Sequence, residues 1–190
     1  DGAGDWGACD PAEPRNRRTR CSLHILDDDG HGILIDTSPD LREQLLSCKI
    51  SRVDSVICTH DHADHSHGIN ELRRLDQVAG RRSDLYADAE TLTSLRRRFD
   101  YAFDPPPDSP YRPIAVPHVV DGPFDLANGR SVRSFPQGHG FGAYTLGVRI
   151  GDVAYSTDAV ALDDAAFDIL SGTRIWFVDC VRYRPHPNHS

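Results

Sequence analysis

The chain has 190 residues (21.1 kDa), the size of one domain that can bury a real core, with 38% hydrophobic and 26% charged residues. No apolar run approaches the ~18 residues that a membrane-spanning helix needs, which excludes such a helix. The 21 basic and 29 acidic side chains give a net charge of −8, a balance that speaks against a broad grip on long nucleic acid and leaves a small phosphorylated substrate open.

In chain order, strand and helix patterns alternate. Cys21 to Leu26 and Ile33 to Asp36 are short apolar runs around the turn DDDGHG and predict a hairpin. In SPDLREQLLSC, Ser38 can cap a helix, Pro39 suits its first position, and Leu41, Leu45 and Cys48 share one face. Val53 to Cys58 reads as a buried strand running straight into THDHADH. GINELRRL is helical, LYAD is a short strand, and AETLTSLRRRF is an amphipathic helix carrying Arg96, Arg97 and Arg98. The stretch 104–113 (DPPPDSPYRP) is a loop, because proline lacks the backbone donor and fixes its own φ. From Ile114 onward the chain turns β-rich (IAVPHV, SVRSFP, AYTLGVRI, DVAYST), then continues through the helix LDDAAFDIL into a last buried strand, RIWFVDC. Strand-rich halves with helices between them fit stacked sheets with helices outside, an α+β arrangement that pattern alone does not separate from other α/β folds.

Cysteines at 9, 21, 48, 58 and 180 are odd in number and loosely spaced, which fits a reducing cytoplasm better than a disulfide framework. Ten histidines stand beside no methionine at all. The start DGAGDWGACDP lacks the segments of a signal peptide, and the end RPHPNHS has no capped helix or finished strand behind it. The expectation is a single domain over residues 1–190, a portion of a longer protein that lacks parts of both ends.

The chemistry concentrates in His60-Asp61-His62-Ala63-Asp64-His65. On a helix, residues two apart point away from each other. In a loop leaving a strand end, His60 and His62 can converge on one metal while Asp64 and His65 turn toward a second. Imidazole and carboxylate donors suit zinc or a similar first-row ion; the bland alternative is a solvated polar loop. His139 sits in FPQGHGFG, whose glycines let the backbone approach closely. Asp158 follows the strand DVAYST, and an aspartate can bridge two ions. Alone, either would read as a routine turn residue.

This arrangement resembles the metallo-β-lactamase superfamily. HDHADH matches its H-x-H-x-D-H motif, His139 and Asp158 stand at the places of its third and fourth motifs, and Asp36, ending ILID, matches the aspartate of its first. The resemblance runs from about Cys21 to Ser190. It implies an αββα sandwich with two divalent ions, zinc or manganese, at one edge of the sheets. The ligands would be His60, His62, Asp64, His65, His139 and Asp158, with Asp36 supporting the metal loop from behind. His62 stands where flavodiiron proteins carry glutamate, and Asp158 where the best-known zinc β-lactamases carry cysteine; both speak against those branches.

LIDTSPDLREQLL, THDHADHSHGINELR and VDCVRYRPHPNHS look like a bacterial phosphodiesterase group. That group is similar to the cyclic phosphate phosphodiesterase of phosphonate breakdown and, more distantly, to tRNA 3′-end-processing nucleases. The resemblance implies a hydroxide held between the ions that attacks a small cyclic phosphate or nucleotide-like phosphodiester. Asp64 would ligate and orient that hydroxide, and His189 would protonate the leaving oxygen. His186 is the fallback at the phosphate, and Arg184, with Arg182, would steer the anion. The family's final histidine ligand is expected to be missing, which weakens the second metal position. Two alternatives stay open: thiolester hydrolysis on the same scaffold, or a non-catalytic metal- or nucleotide-binding fragment. A homodimer is also left open.

Other residues carry weaker readings. Tyr111 and Phe141 could stack on a base, with core packing the better expectation for aromatics. RNRRTR (15–20) reads as a solvated face, Cys58 as buried packing, and His67 and His118 have no assigned role.

Overall fold

The computed structural model describes residues 4–179, and among these the apolar runs close into two five-stranded sheets. The first has the order β1-β2-β3-β4-β5, with β1 (Leu23–Leu26), β2 (Gly32–Ile35), β3 (Ser55–Ile57), β4 (Ser83–Ala87) and β5 (Ala115–Val119). β1 and β2 pair antiparallel across the DDDGHG turn, Leu23 opposite Ile35, and β2 to β5 run parallel. The second has the order β10-β9-β8-β7-β6, with β6 (Phe124–Asp125), β7 (Ser131–Gly138), β8 (Tyr144–Ile150), β9 (Val153–Ser156) and β10 (Ile175–Val178). Only its β9–β10 pair is parallel. β5 contains Pro117 and takes the edge of the first sheet, where a missing donor is tolerated. The sequence pattern groups this segment with the β-rich second half; its pairing with β4 places it in the first.

Among the described residues six α-helices accompany the sheets: α1 (Leu41–Ser47), α2 (Ala63–Ser66), α3 (Leu72–Ala79), α4 (Ala89–Arg98), α5 (Asp100–Phe103) and α6 (Asp164–Leu170). Side chains alternate along a strand, and β2 shows the result. Leu34 packs with Leu41, Leu45, Leu72 and Leu95 on the helix side. Its neighbours Ile33 and Ile35 meet Val132, Val148 and Tyr155 between the sheets. On the far side Phe135 and Ala154 pack under Ala166 and Leu170 of α6. The layers are therefore helix, sheet, sheet, helix, which is the αββα sandwich. No helix among the described residues is long and apolar enough to cross a membrane.

Two local expectations are corrected. α1 begins at Leu41 behind Asp40, not at Pro39, because the Ser38 hydroxyl donates to Gln44 Oε1 at 2.9 Å and caps nothing. Leu41 and Leu45 are buried as expected, while Cys48 ends the helix exposed. β10 is not a buried strand: Ile175, Trp176, Phe177 and Val178 are 39–53% exposed and join no core cluster among the described residues. An apolar run predicts a strand, but burial needs a neighbour on its faces.

The segment after β2 is clamped to the segment after β3. Thr37 N–H donates to His65 O and Gly68 N–H donates to Thr37 O, both at 2.8 Å. Gly68 is packed so tightly that a Cβ would collide with Ser38 O and lie 2.9 Å from Leu41 Cβ. Gly68→Ala is therefore expected to destabilise the chain by about 2 kcal/mol through overpacking, read as a lower denaturant midpoint; an unchanged midpoint would show that the clamp yields freely.

Candidate metal centre

Four chain segments meet at one edge of the two sheets. Asp36 follows β2, Thr59 and His60 follow β3, His139 follows β7, and Asp158 follows β9. Asp36 and Asp158 both adopt positive φ, 63° and 54°, a backbone region that aspartate enters more readily than most residues. HDHADH itself divides. His62 is extended and caps a single helical turn, α2, so the second half of the motif is helix rather than loop throughout. That turn buries His65 completely and leaves the Asp64 carboxylate about half exposed.

One ligand atom from each of His60, His62, His139 and Asp158 lies within 4.8 Å of the others. His62 Nδ1 and His139 Nε2 are 3.3 Å apart. Asp158 Oδ2 lies 3.5 Å from His60 Nε2, 3.5 Å from His65 Nε2 and 3.9 Å from His139 Nε2. His65 Nε2 is also 3.6 Å from Asp64 Oδ2. Asp158 Oδ2 thus stands between the four-residue cluster and the Asp64–His65 pair.

The hydrogen bonds behind the ligands set which nitrogen faces inward. Asp36 is fully buried and accepts from Thr59 N–H at 2.8 Å, from the Thr59 hydroxyl and, at 2.9 Å, from His65 Nδ1. With its only proton given to Asp36, the Thr59 hydroxyl accepts from His60 Nδ1 at 3.0 Å. His139 Nδ1 donates to the Asp158 carbonyl at 2.7 Å. With Nδ1 engaged in this way, Nε2 is the nitrogen that each of the three imidazoles turns toward the centre. His60 Nε2 is buried and makes no hydrogen bond, an arrangement that costs roughly 1–3 kcal/mol unless something binds there. Three imidazole nitrogens and a carboxylate oxygen that converge on one point fit a first-row divalent ion.

The electrostatics agree. Burial disfavours a charge on His65, but its contacts with Asp158 and Asp36 outweigh burial and hold its pKa above the ordinary value. Burial would likewise raise the Asp158 carboxyl, and the facing His60 and His65 outweigh it and hold it low. At His62, burial and then the charges of His60 and His139 push the pKa down. The carboxylate at the centre demands positive charge, and the histidines that surround it crowd one another when protonated. A cation meets both conditions.

Residues 31–190 match the family model described as a beta-lactamase superfamily domain. The chain belongs to the beta-lactamase superfamily. A diphosphatase of the PhnP family, known from its crystal structure, superposes with a TM-score of 0.83 at 35% identity, over 96% of this chain and 70% of that one. Zinc-bound PqqB from Methylobacterium extorquens shares the fold, with a TM-score of 0.64 at 21% identity over 85% of this chain and 60% of that one. A protein of Porphyromonas gingivalis named octanoyltransferase is 35% identical over 184 residues, 95% of this chain but 36% of its own length. The chain therefore spans about a third of that relative. With the PhnP-family diphosphatase and PqqB it shares the metallo-β-lactamase fold.

Among the residues that the motif singles out, the structure gathers His60, His62, His139 and Asp158 into one cluster, sets Asp64 and His65 beside it across Asp158, and places Asp36 behind His65 and Thr59. His186, His189 and Arg184 lie outside the described residues. The sequence reading missed the braces. Thr59 links Asp36 to His60, while Ser94 and Arg98 of α4, one helical turn apart, both hold the Asp61 carboxylate. Cys21 Sγ lies 3.9 Å from both His65 ring nitrogens and 3.5 Å from Thr157 Oγ1. The spacing of residues 94 and 98 on one helix face was a usable signal; nothing local marked Cys21. His118 is bound to Asp84 at 2.7 Å and His67 packs edge-on against Phe99, so neither joins the centre. Cys58 is buried, as expected of packing.

Proposed function

We propose that the chain is a metal-dependent phosphodiesterase that hydrolyses a small cyclic phosphate or nucleotide-like phosphodiester. The observation that carries this reading is the cluster of four ligand atoms within 4.8 Å, with Asp158 Oδ2 shared toward His65. His60, His62 and His139 would hold one ion, Asp64 and His65 a second, and Asp158 would bridge them. Divalent ions, zinc or manganese, would supply Lewis-acid charge for the phosphoryl oxygens and lower the pKa of a coordinated water.

The chain's own residues do the rest. Asp36 and Thr59 hold the Nδ1 atoms of His65 and His60, so that Nε2 of each faces the ion positions. Asp64, with its carboxylate at the open side, accepts a hydrogen bond from the attacking water and orients it toward phosphorus. As the new P–O bond forms, the bond to the leaving oxygen breaks, and His189 would donate the proton that this oxygen takes. His186 and Arg184 would face the phosphate.

The likeness to a PhnP-family diphosphatase supports phosphoryl chemistry and favours a second reading, in which the bond cleaved is a P–O–P linkage. Octanoyl transfer is not carried over, because this chain corresponds to 36% of the protein with that name. The discriminating experiment offers an aryl phosphodiester, an organic diphosphate and a thiolester to the same preparation, with its metal content measured by elemental analysis. Two ions per chain are expected, with the phosphodiester turned over fastest. A strong chelator is expected to reduce that turnover at least a hundredfold, and zinc or manganese to restore it. Turnover that survives complete metal removal would overturn the reading.

A further inference from the structure

Among the described residues, four other than glycine have positive φ: Asp36, Lys49, Phe141 and Asp158. Asp36 and Asp158 belong to the metal centre, and Lys49 follows the C-cap of α1, where a left-handed residue commonly ends a helix. Phe141 has no such explanation. It occupies the tip of the β7–β8 hairpin, where Ala143 N–H donates to Gly140 O and His139 N–H donates to Ala143 O, both at 2.9 Å. The two central residues of that turn, Phe141 and Gly142, have φ of 49° and 78°. This is the pattern of a type I′ turn, whose first central seat favours asparagine, aspartate or glycine. Phenylalanine is the wrong residue for the turn. It is also the most exposed large apolar side chain described, at 87%, with Tyr144 next at 70%.

The hairpin tip flanks the opening of the metal centre. His139, two residues before Phe141, reaches the exposed His62 at 3.3 Å. Leu146 N–H donates to Thr59 O at 2.9 Å, which ties the hairpin to the strand end that carries His60. Tyr144 lies two residues nearer the tip than Leu146 and, by strand alternation, on the same face. A residue that costs backbone strain and exposes a ring, at the rim of a reaction centre, is explained by what it binds rather than by what it packs against.

We infer that Phe141, at the tip of the hairpin whose second strand begins with the exposed Tyr144, is a stacking platform for the nucleobase of the substrate, holding the base while the phosphodiester lies over the histidine cluster. The substrate class is then a nucleoside cyclic phosphate or nucleotide phosphodiester rather than a base-free sugar phosphate. This inference rests on the phosphodiesterase reading for its catalytic half.

The test uses the metal-loaded chain and Phe141→Asn, which replaces the ring with a residue suited to the turn. Kinetics are compared on adenosine 2′,3′-cyclic phosphate and on the base-free methyl riboside 2′,3′-cyclic phosphate. Loss of base stacking is expected to raise KM for the adenosine substrate about tenfold, at least several times more than for the base-free one, while the thermal midpoint stays level or rises. Phe141→Trp is expected to restore the adenosine KM. Equal penalties on both substrates, or none, would overturn the platform. Calorimetric binding of AMP against ribose 5-phosphate separates the two readings. Ring-dependent AMP binding without turnover of any phosphodiester would support the platform and sink the phosphodiesterase reading. Turnover with ring-independent binding would do the reverse.

Discussion

Asp158→Asn is expected to lower turnover of an aryl phosphodiester about a thousandfold, a barrier increase of roughly 4 kcal/mol. Asparagine has the same volume and tolerates the left-handed backbone at this position, so the change isolates the charge. Asp158 Oδ2 is the atom that His60, His65 and His139 share at 3.5, 3.5 and 3.9 Å. Taking the negative charge from that point removes the bridge between the two proposed ion positions and leaves three imidazoles to bind a cation without a counter-charge. Elemental analysis is expected to show less metal per chain, with an unchanged far-UV circular dichroism spectrum. Parent-level turnover with full metal content would remove Asp158 from the chemistry.

The second large effect falls on a residue that is not itself a proposed ligand but holds one, His65, from behind. Asp36→Ala would leave Thr59 N–H, the Thr59 hydroxyl and His65 Nδ1 without their acceptor in a fully buried place. At roughly 1–3 kcal/mol for each buried donor left unpaired, a loss of about 4 kcal/mol is expected. Metal affinity is expected to fall ten- to a hundredfold, as for other residues that orient metal-binding histidines. Denaturant titration measures the first quantity and competition with a chromophoric chelator the second. Asp36→Asn keeps the size but presents an amide to donors. It is expected to recover part of the stability and little of the affinity, because His65 loses the acceptor that fixes its tautomer. If both variants bind metal like the parent, the positioning role fails and Asp36 is only a structural anchor.

Much of the fold was legible in the sequence, and the misses share a cause. The hairpin of β1 and β2, the helix α4 and the strands β7 to β9 announce themselves through apolar periodicity and turn residues, which act within a few positions. The membership of β5 in the first sheet did not, because pairing with β4 is a contact between distant segments. The exposure of Trp176 and Phe177 did not either, because an apolar run states a preference for cover and not whether cover is there. α2 was missed because one helical turn of four residues carries no period to read. Phe141 shows the reverse case: packing was the better expectation for an aromatic, and the structure left it exposed on a strained turn.

By itself, the sequence determined the donor chemistry of this protein: histidines and aspartates gathered at strand ends, His60 and His62 close enough along the chain to converge without help. That much follows from residue type and from the short reach of consecutive residues. Only the tertiary structure decided which nitrogen of each imidazole faces the centre and that one oxygen of Asp158 is shared among three of them. Those outcomes depend on Asp36 meeting Thr59 and His65 across 23 and 29 residues, and on His62 meeting His139 across 77. The Asp36 bonds exist only once β2 and β3 have paired, and the His62–His139 contact only once the two sheets have packed; burial there makes an unpaired donor costly and so selects one arrangement.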